Sequence, residues 1–500
     1  MDRQVTLPSG AFDPAKTPAL FRAVFPSVML PMFMAVGDQT IVSSALPAIA
    51  ASLGEVERVS WAVVAYLVSA TIAAPLYGYL GDGFGRRRLM FFALGVFMTG
   101  SLLSASAPSA LFLAMARVLQ GLGGGGLMSL SQALIGEVVP PRQRGHYQAY
   151  LATVATASAA LGPVLGGFVT EHFGWRAIFF VNGPLGFLAF ALVFRLPSKP
   201  GVKTEGWTFD APGLLWFVAF VVPVLVALER ARHFDPGALE MIGGLLTVSA
   251  IALFLLLRQE KRAVAPLLPL ALFRQPAIWR ANGLAFCNGA ALTALIAFLP
   301  LYLRVTHGTS PSQVGMILLP ITIAIGVGSI ITGRLVTRTG MTMPFPSFGL
   351  IGASAAMLFF AFASSRMSIA QILGTLSVGA FFMGTVMSVV QVTVQSAAGR
   401  RALGAAAGSV QFSRTVGAAF GVALLNTALF ASLALGDDEA LGVFARVVDL
   451  GPDALATLEP ARRLAMESVF SAAFRAAFMF IGVFTSIGIV LAFTNPSRRV

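Results

Sequence analysis

Long apolar segments recur along most of this chain, and they constrain its fold more than any other feature. A helix that crosses the hydrocarbon core of a bilayer needs about 20 mostly apolar residues. About fourteen such segments are present, near residues 22–49, 60–80, 89–106, 109–136, 146–170, 177–195, 212–229, 239–257, 278–303, 312–333, 345–364, 367–396, 403–433 and 469–494. Because 57% of the residues are hydrophobic and only 11% are charged, we predict an all-α membrane protein with fourteen transmembrane helices.

Pairs of glycines recur at a fixed distance along the chain, which indicates an internal duplication. Four pairs are 255 residues apart, namely Gly78 and Gly333, Gly85 and Gly340, Gly162 and Gly417, and Gly166 and Gly421. Each pair occupies the same place in its own helix or loop. Duplicated halves in a membrane protein are typical of transporters. The sequence therefore predicts two pseudo-symmetric six-helix bundles.

The offset leaves room for two extra helices between the bundles. The expected parts are an N-terminal tail at 1–21, a first bundle at 22–196, a linker with two inserted helices at 197–277, a second bundle at 278–495 and a C-terminal tail at 496–500. The second bundle includes a long loop at 434–467 with enough Ala and Leu for a short surface helix. This loop is either a solvated connector or a docking site for a periplasmic adaptor protein.

Basic residues indicate the orientation. When helices are counted from the N-terminus, most Lys and Arg residues fall in loops on the side of that terminus. By the positive-inside rule, both termini are expected in the cytoplasm. We expect a multi-pass protein of the cytoplasmic (inner) membrane that is a monomer. The net charge of +13 is scattered over short loops, so nucleic acid is not an expected partner.

Catalytic and metal-binding patterns are not found in the sequence. The single cysteine, Cys287, lies inside a predicted helix, and the four histidines are isolated. We therefore expect no metal site and no cofactor. Because no nucleophile–base constellation or phosphate-binding loop is present either, the sequence does not indicate an enzyme.

One acidic residue, Asp38, falls deep inside a predicted helix. A charged side chain at the bilayer centre costs at least about 2.5–3.5 kcal/mol on insertion scales, so it should face a cavity or a partner. Arg117 lies about 13 Å and Asp38 about 15 Å from the outer ends of their helices. The two can therefore pair, with Gln120 one turn after Arg117 on the same face. We interpret this pair as a proton-coupling site; an ion pair that only fixes helix packing is the alternative.

Small residues at regular spacing mark the fifth predicted helix. Gly162, Gly166 and Gly167 permit close approach of a neighbouring helix. Pro163 removes a backbone donor and favours a kink. In isolation this is a packing motif. Within a duplicated bundle, we interpret it as a pivot or gate between the halves.

Four motifs together resemble those of the major facilitator superfamily, specifically its fourteen-helix drug:proton antiporter branch (EmrB/QacA-like). Residues 78–88 match the loop signature G-x-L-a-D-r-x-G-R-r, apart from Gly83, where the family often has a basic residue. Residues 113–121 resemble the helix 4 signature R-x-x-q-G, and residues 161–167 resemble the antiporter motif of helix 5. Residues 38–47 are similar to D-x-T-I-V-x-x-A-L-P of the fourteen-helix branch.

The resemblance implies alternating access by two six-helix bundles, with cargo bound near the membrane midplane. It also implies that Asp82 and Arg86 hold a cytoplasmic gate closed against the N-terminal end of helix 13. The proposed gating residues of this loop are Gly78, Asp82, Gly85, Arg86 and Arg87. Thr337 stands where Asp82 would map in the second half, so the gate should be asymmetric. A purely topological role of the basic loop is the alternative.

These features favour proton-coupled multidrug efflux of hydrophobic, often cationic small molecules. Soft, aromatic or amide side chains suit promiscuous binding. The candidate cargo contacts are Phe33, Met34, Gln120, Phe286, Asn288, Phe381, Phe382, Met387 and Gln391. Ordinary helix packing is the alternative for each of them. Two other functions stay open: export of one endogenous metabolite, such as a siderophore or antibiotic, and a non-transporting receptor or scaffold, which would gain nothing from a buried Asp–Arg pair.

Overall fold

A computed structural model describes residues 17–54, 56–196, 209–231, 236–268, 270–309, 311–437, 439–451, 454–455 and 458–499. Residues 1–16 of the expected N-terminal tail lie outside these described residues. So do residues 197–208 of the expected linker and Val500 of the expected C-terminal tail. The described chain is almost entirely α-helical, as predicted.

Fourteen helices correspond to the fourteen apolar segments. We number them α1 Thr17–Leu53, α2 Trp61–Phe84, α3 Arg86–Ala105, α4 Ala110–Val138, α5 Arg144–Phe173, α6 Asn182–Val193, α7 Ala211–Ala231, α8 Leu239–Glu260, α9 Pro276–His307, α10 Pro311–Thr339, α11 Pro344–Ala363, α12 Ile369–Ala398, α13 Leu403–Gly436 and α14 Pro460–Thr494. Within the described residues, 13 helices are long and apolar enough to cross a membrane, and Ala177–Val193 is a shorter apolar stretch.

Helix α6 is short because the helical segment breaks at Val181. One turn, Ala177–Phe180, precedes the break, and α6 begins at Asn182. Pro184 lacks a backbone N–H and fits the first turn of a helix, which favours a new start at this point. Asn182 at this start is buried, with 5% of its surface exposed. Hydropathy alone does not reveal such a break, because the apolar run continues through it.

The two halves repeat the same helix packing. In the first half, α1 packs against α5 and α2 against α4; in the second, α9 packs against α13 and α10 against α12. The repeated loop glycines also match, because Gly85 and Gly340 both have positive φ angles, +94° and +70°. Such backbone conformations favour glycine, which has no Cβ atom to clash. The internal duplication indicated by the glycine spacing therefore extends to helix contacts and loop conformation.

The most extensive contacts between the halves are two helix crossings, α2 with α13 and α5 with α10. A Cβ atom on Gly78 would lie 2.2 Å from the carbonyl oxygen of Gly404 at the first crossing. At the second, a Cβ atom on Gly333 would lie 2.4 Å from the carbonyl oxygen of Gly145. Glycines let the backbones touch at these points. Both crossings lie at the end of the bundle that carries the α2–α3 loop, which we call the loop end.

The inserted helices α7 and α8 pack against each other and over the seam between α2 and α13. Phe217 of α7 is fully buried and belongs to one apolar cluster with Ile72 of α2. Its ring centroid lies 5.4 Å from that of Phe412 in α13. The inserted pair therefore contacts both halves along one side of the molecule.

The loop between α13 and α14 contains the short helix Ala440–Leu450, which the Ala and Leu content predicted. Val443 and Phe444 on this helix are each 3% exposed. The Phe444 ring lies 5.3 Å from that of Phe470 in α14. The apolar face of this surface helix is therefore packed on the second half, and the loop is anchored there.

Candidate functional site

Asp38 and Arg117 form a buried ion pair between α1 and α4. Asp38 is 3% exposed and Arg117 is 0% exposed. Arg117 also donates hydrogen bonds to the carbonyl oxygen of Ala62 at 3.3 Å and to Oε1 of Gln120 at 2.8 Å. The similar depth of Asp38 and Arg117, calculated from the sequence, thus corresponds to direct contact. The pair also connects α1 and α4 to α2.

Two amides complete the surroundings of the Asp38 carboxylate. Gln120 donates from Nε2 to Oδ1 of Asp38 at 2.8 Å, and Asn182 donates from Nδ2 to the same oxygen at 2.9 Å. The Asn182 amide also donates to Oγ of Ser101 in α3 at 3.0 Å. A buried carboxylate is tolerated only when its oxygens are paired in this way. Gln120, predicted as a cargo contact, belongs to this network.

Tyr66 supports Arg117 from a further side. The guanidinium carbon lies 4.2 Å from the centroid of the Tyr66 ring, within the range of a cation–π interaction. The Tyr66 hydroxyl donates to the carbonyl oxygen of Ala35 at 2.7 Å, which fixes the ring. Among the described residues, Nη2 of Arg117 has no hydrogen-bond partner. Tyr66 and Asn182 were missed at the sequence level because neither is charged, although both are polar groups inside apolar segments.

A second polar cluster lies at the loop end, where Asp82 of α2 meets the start of α13. The backbone N–H of Gly404 donates to the two carboxylate oxygens at 2.9 and 3.0 Å, and that of Ala405 donates at 3.0 Å. N–H groups in the first turn of a helix have no partner within the helix and carry the positive end of its dipole. Asp82 therefore joins the two halves, at the position that the family resemblance implied.

Arg86 holds Asp82 in place from the first half. Its guanidinium forms ion pairs with both Asp82 and Glu137, and Arg86 is 9% exposed. Glu137 is near the end of α4 and was not among the predicted site residues. An acidic residue near a helix end is usually solvated, so its spacing along the sequence gave no sign of this role.

The remaining loop residues act within single halves. Arg87 donates to the carbonyl oxygen of Phe194 at 2.9 Å, after the end of α6. Thr337, the counterpart of Asp82, donates to the carbonyl oxygen of Gly333 in its own helix at 3.0 Å. The two copies of the loop therefore make different contacts, as the threonine predicted.

Gly162 and Gly166 bring α5 against α1 within the first half, as the spacing of small residues predicted for a neighbouring helix. A Cβ atom on Gly162 would lie 1.8 Å from Oγ1 of Thr40, and one on Gly166 would lie 2.3 Å from Oγ of Ser44. Pro163 lies inside this helix, which continues to Phe173. Helix α5 meets α10 through a different part, near its N-terminal end, where Gly145 contacts Gly333, and the role of the motif as a pivot or gate stays a prediction.

A small central cavity of about 30 Å³ lies between the halves. It is lined from α1, α4 and α5 on one side and from α9, α12 and α13 on the other. Three predicted cargo contacts, Asn288, Met387 and Gln391, line it. The structure places the others outside this lining, namely Phe33, Met34, Gln120, Phe286, Phe381 and Phe382.

Aromatic rings on the same helices turn toward neighbouring helices instead. Phe286 lies 5.7 Å from Phe420 and 6.4 Å from Phe484, measured between ring centroids. The ring of Phe382 packs closely against Gly352 of α11, so that a Cβ atom added to this glycine would lie 2.6 Å from the ring. These rings fill spaces between helices. Helix rotation decides which side chains reach the cavity, and a single sequence does not specify that rotation.

Polar side chains that line the cavity were not predicted: Gln132, Gln148, Gln411 and Arg414. Below them, toward the loop end, the backbone carbonyl of Gln132 accepts hydrogen bonds at 3.0 Å from the side chains of Gln148 and of Gln395 in the other half. The available signal was the presence of four glutamines and an arginine within apolar segments.

The arrangement so far consists of two bundles, a buried acid, a polar cluster that joins the bundles at one end, and a central cavity. Residues 28–422 match the family model of the Major Facilitator Superfamily. The chain belongs to the major facilitator superfamily. Two bacterial relatives illustrate the range of similarity. The major facilitator chain is 33% identical over 428 residues to an uncharacterized MFS-type transporter of Mycobacterium tuberculosis, covering 83% of this chain but only 60% of that protein. It is 28% identical over 405 residues to the multidrug transporter protein MdtP of Bacillus subtilis, covering 80% of this chain and 74% of MdtP.

Solved major facilitator structures share the overall fold. The human organic anion transporter MFSD10 superposes with a TM-score of 0.65, covering 94% of this chain and 99% of that chain. Its sequence identity to this major facilitator protein is 16%, so the likeness concerns the fold alone.

Proposed function

We propose that this protein exports amphipathic small molecules by alternating access and exchanges them for protons. The observation that carries the proposal is the Asp38–Arg117 pair, a titratable group buried in the first half of a two-bundle transporter fold. The names of two relatives support this function: MdtP is a multidrug transporter, and dotC of Dothistroma septosporum is an efflux pump.

Asp38 is the proposed proton site. Protonation would neutralise its carboxylate and leave the fully buried Arg117 without a counter-charge. Breaking a buried ion pair in this way costs about 3–5 kcal/mol, because one charge stays desolvated. The proton therefore favours a rearrangement in which Arg117 finds other partners. This links the charge state of Asp38 to the relative positions of α1, α2 and α4.

Asp82 is the proposed latch of the loop end. Opening this end requires the hydrogen bonds from Gly404 and Ala405 to break. Hydrogen bonds to a charged group contribute about 1.5–3 kcal/mol each. The protein thus has one conformation with the loop end closed and one with it open. Cargo and proton shift the equilibrium between them only if each binds the two conformations with different affinities. In this way the energy of the proton gradient can drive the opening and closing of the loop end.

Reconstituted vesicles provide the test. Wild-type protein and the Asp38→Asn variant are placed in proteoliposomes with an imposed pH gradient and a panel of lipophilic cations and anions. We expect cargo-dependent proton movement with wild type and none with Asp38→Asn. Glu467→Gln is the matched control, because Glu467 makes an exposed ion pair with Arg463, and it should transport normally. Proton coupling that persists in Asp38→Asn would exclude Asp38 as the proton site.

A further inference from the structure

The central cavity carries one positive charge in its lining. Of the described residues that line it, Arg414 is the only one with an ionisable side chain. Its guanidinium donates a hydrogen bond from Nη2 to Oε1 of Gln411 at 2.6 Å. A neutral amide does not compensate a positive charge. The surface that cargo would meet is therefore electropositive.

Acidic side chains that could balance Arg414 are engaged elsewhere. Within the described residues, the structure shows no carboxylate oxygen within 4.0 Å of the Arg414 guanidinium, whereas Asp38 pairs with Arg117, and Asp82 and Glu137 pair with Arg86. A charge in a low-dielectric site is costly unless it is paired. The missing counter-charge at Arg414 is thus one that a ligand can supply.

Unpaired amide groups lie around the same cavity. Nε2 of Gln391, Oδ1 of Asn288 and Oε1 of Gln132 are buried and have no hydrogen-bond partner among the described residues. All three residues line the cavity and are 4%, 4% and 7% exposed, respectively. Buried polar atoms of this kind normally find partners. Here the Gln391 amide offers a donor on the same side of the cavity as Arg414, since both belong to the second half.

Apart from Gln148, the rest of the lining is apolar. Met32, Leu151, Val386, Met387 and Val390 face the same space. Methionine side chains adapt to ligands of different shape. A ligand that matches both parts of the cavity carries one negative group and an apolar body, and the two halves must separate to admit it because the cavity is small in this conformation.

We propose that the cargo of this protein is an amphipathic organic anion, whose carboxylate, sulfonate or phosphate binds Arg414 and the Gln391 amide. This departs from the cationic cargo expected from the sequence, and it rests on the proposed transport function. Guanidinium groups suit these anions because they offer several donors in a planar fork. The apolar body lies against the methionine and valine side chains. Because Gln132 and Gln148 come from the first half and Arg414 from the second, such a ligand touches both moving parts.

Binding to purified protein tests the charge preference without requiring transport. The protein is placed in nanodiscs of zwitterionic lipid, so that anionic headgroups do not compete. The probes are pyrenebutyrate and a pyrenebutyl-trimethylammonium cation of the same chain length, followed by pyrene fluorescence. We expect wild type to bind the anion at least about tenfold more tightly, which corresponds to about 1.4 kcal/mol. Equal affinity, a preference for the cation, or binding of neither probe would overturn the proposal.

Variants then assign the preference to Arg414. Arg414→Gln should lose the preference for the anion, whereas Arg414→Lys should keep part of it, because lysine retains the charge but not the fork. Arg475→Gln is the matched control, since Arg475 is an exposed arginine of α14 and its loss removes the same charge. Anion affinity that is unchanged in Arg414→Gln also contradicts the proposal.

Transport of the same two probes separates this inference from the proposed function. If a proton gradient moves the cation and not the anion, the efflux function stands and the anion proposal fails. If the anion binds selectively but no gradient moves either probe, the cavity assignment stands and proton-driven efflux fails. Movement of the anion by the gradient supports both.

Discussion

Gly78 and Gly404 meet backbone to backbone where α2 crosses α13. A Cβ atom on Gly404 would lie 2.1 Å from the carbonyl oxygen of Gly78. The same position of α13 donates a backbone hydrogen bond to Asp82. The α2–α13 contact and the hydrogen bonds of Asp82 therefore depend on one another, because the two helices must touch before the Asp82 carboxylate can reach the N-terminus of α13.

The first prediction concerns this contact. Gly404→Ala should push α2 and α13 apart and weaken the closed loop end, with an overpacking cost of about 1–3 kcal/mol. We expect reduced transport and a lower melting temperature. Gly95→Ala on α3 is the control, since a Cβ atom at Gly95 would meet nothing within 4 Å. Equal effects of the two variants would show that the contact is not important for closure.

The second prediction compares the two copies of the loop. Gly85→Ala and Gly340→Ala both place a Cβ atom on a residue with positive φ, at a cost of roughly 1–3 kcal/mol each. Asp82 connects the first loop to the other half by accepting a hydrogen bond from Gly404. Its counterpart in the second loop, Thr337, donates its hydrogen bond within its own helix. Gly85→Ala should therefore lower transport much more than Gly340→Ala at a similar loss of thermal stability. A larger transport defect in Gly340→Ala would contradict the asymmetric gate.

Helix number, duplication and the main ion pair were all predictable from sequence, each for a simple physical reason. Bilayer thickness fixes the length of an apolar segment, so fourteen segments correspond to fourteen helices. The rise per residue gives the depth of Asp38 and Arg117 without any knowledge of packing. Helix rotation is different, because it is set by contacts between neighbouring helices. The place of Arg414 in the cavity lining and the contact of Gly162 with α1 therefore became visible only in the folded structure.

The third prediction concerns Glu137, which the sequence did not single out. Glu137→Gln should weaken the support that Arg86 gives to Asp82, because one charged hydrogen bond of about 1.5–3 kcal/mol is lost. The amides of Gly404 and Ala405 should then exchange with deuterium faster, since Asp82 shields them. Glu467→Gln serves as the control for loss of one acid. Unchanged exchange at both amides would remove Glu137 from the gate.

The fourth prediction concerns Arg117. Arg117→Lys keeps the charge but cannot bond Asp38, Gln120 and Ala62 at once or lie flat on Tyr66. We expect lower thermal stability and a loss of proton-coupled transport. Arg280→Lys is the comparison, because Arg280 bonds a terminal carbonyl of α14 near a helix end. Full coupling in Arg117→Lys would show that only the charge matters.

The fifth prediction concerns the surface loop. Arg462 donates to both carboxylate oxygens of Asp437, at 2.6 and 2.7 Å, and these hydrogen bonds hold the pKa of Asp437 below its usual value. A lowered pKa in the folded state gives stability that is present above the unfolded pKa and lost as the pH falls through the folded pKa. The contact should therefore persist from neutral to mildly acidic pH. Arg462→Gln should loosen the surface helix in hydrogen exchange, whereas Arg463→Gln should not. Identical exchange in the two variants would contradict this.

The inserted pair has a consequence for how lipid-dissolved molecules reach the interior. Two lateral seams separate the halves, one between α2 and α13 and the other between α5 and α10. Helix α7 covers the first, because Phe217 packs between Ile72 and Phe412. Within the described part of the chain, no inserted helix covers the second seam in this way. A hydrophobic solute that entered sideways from the membrane would pass between α5 and α10, so the inserted pair makes the two lateral faces of this two-fold design unequal.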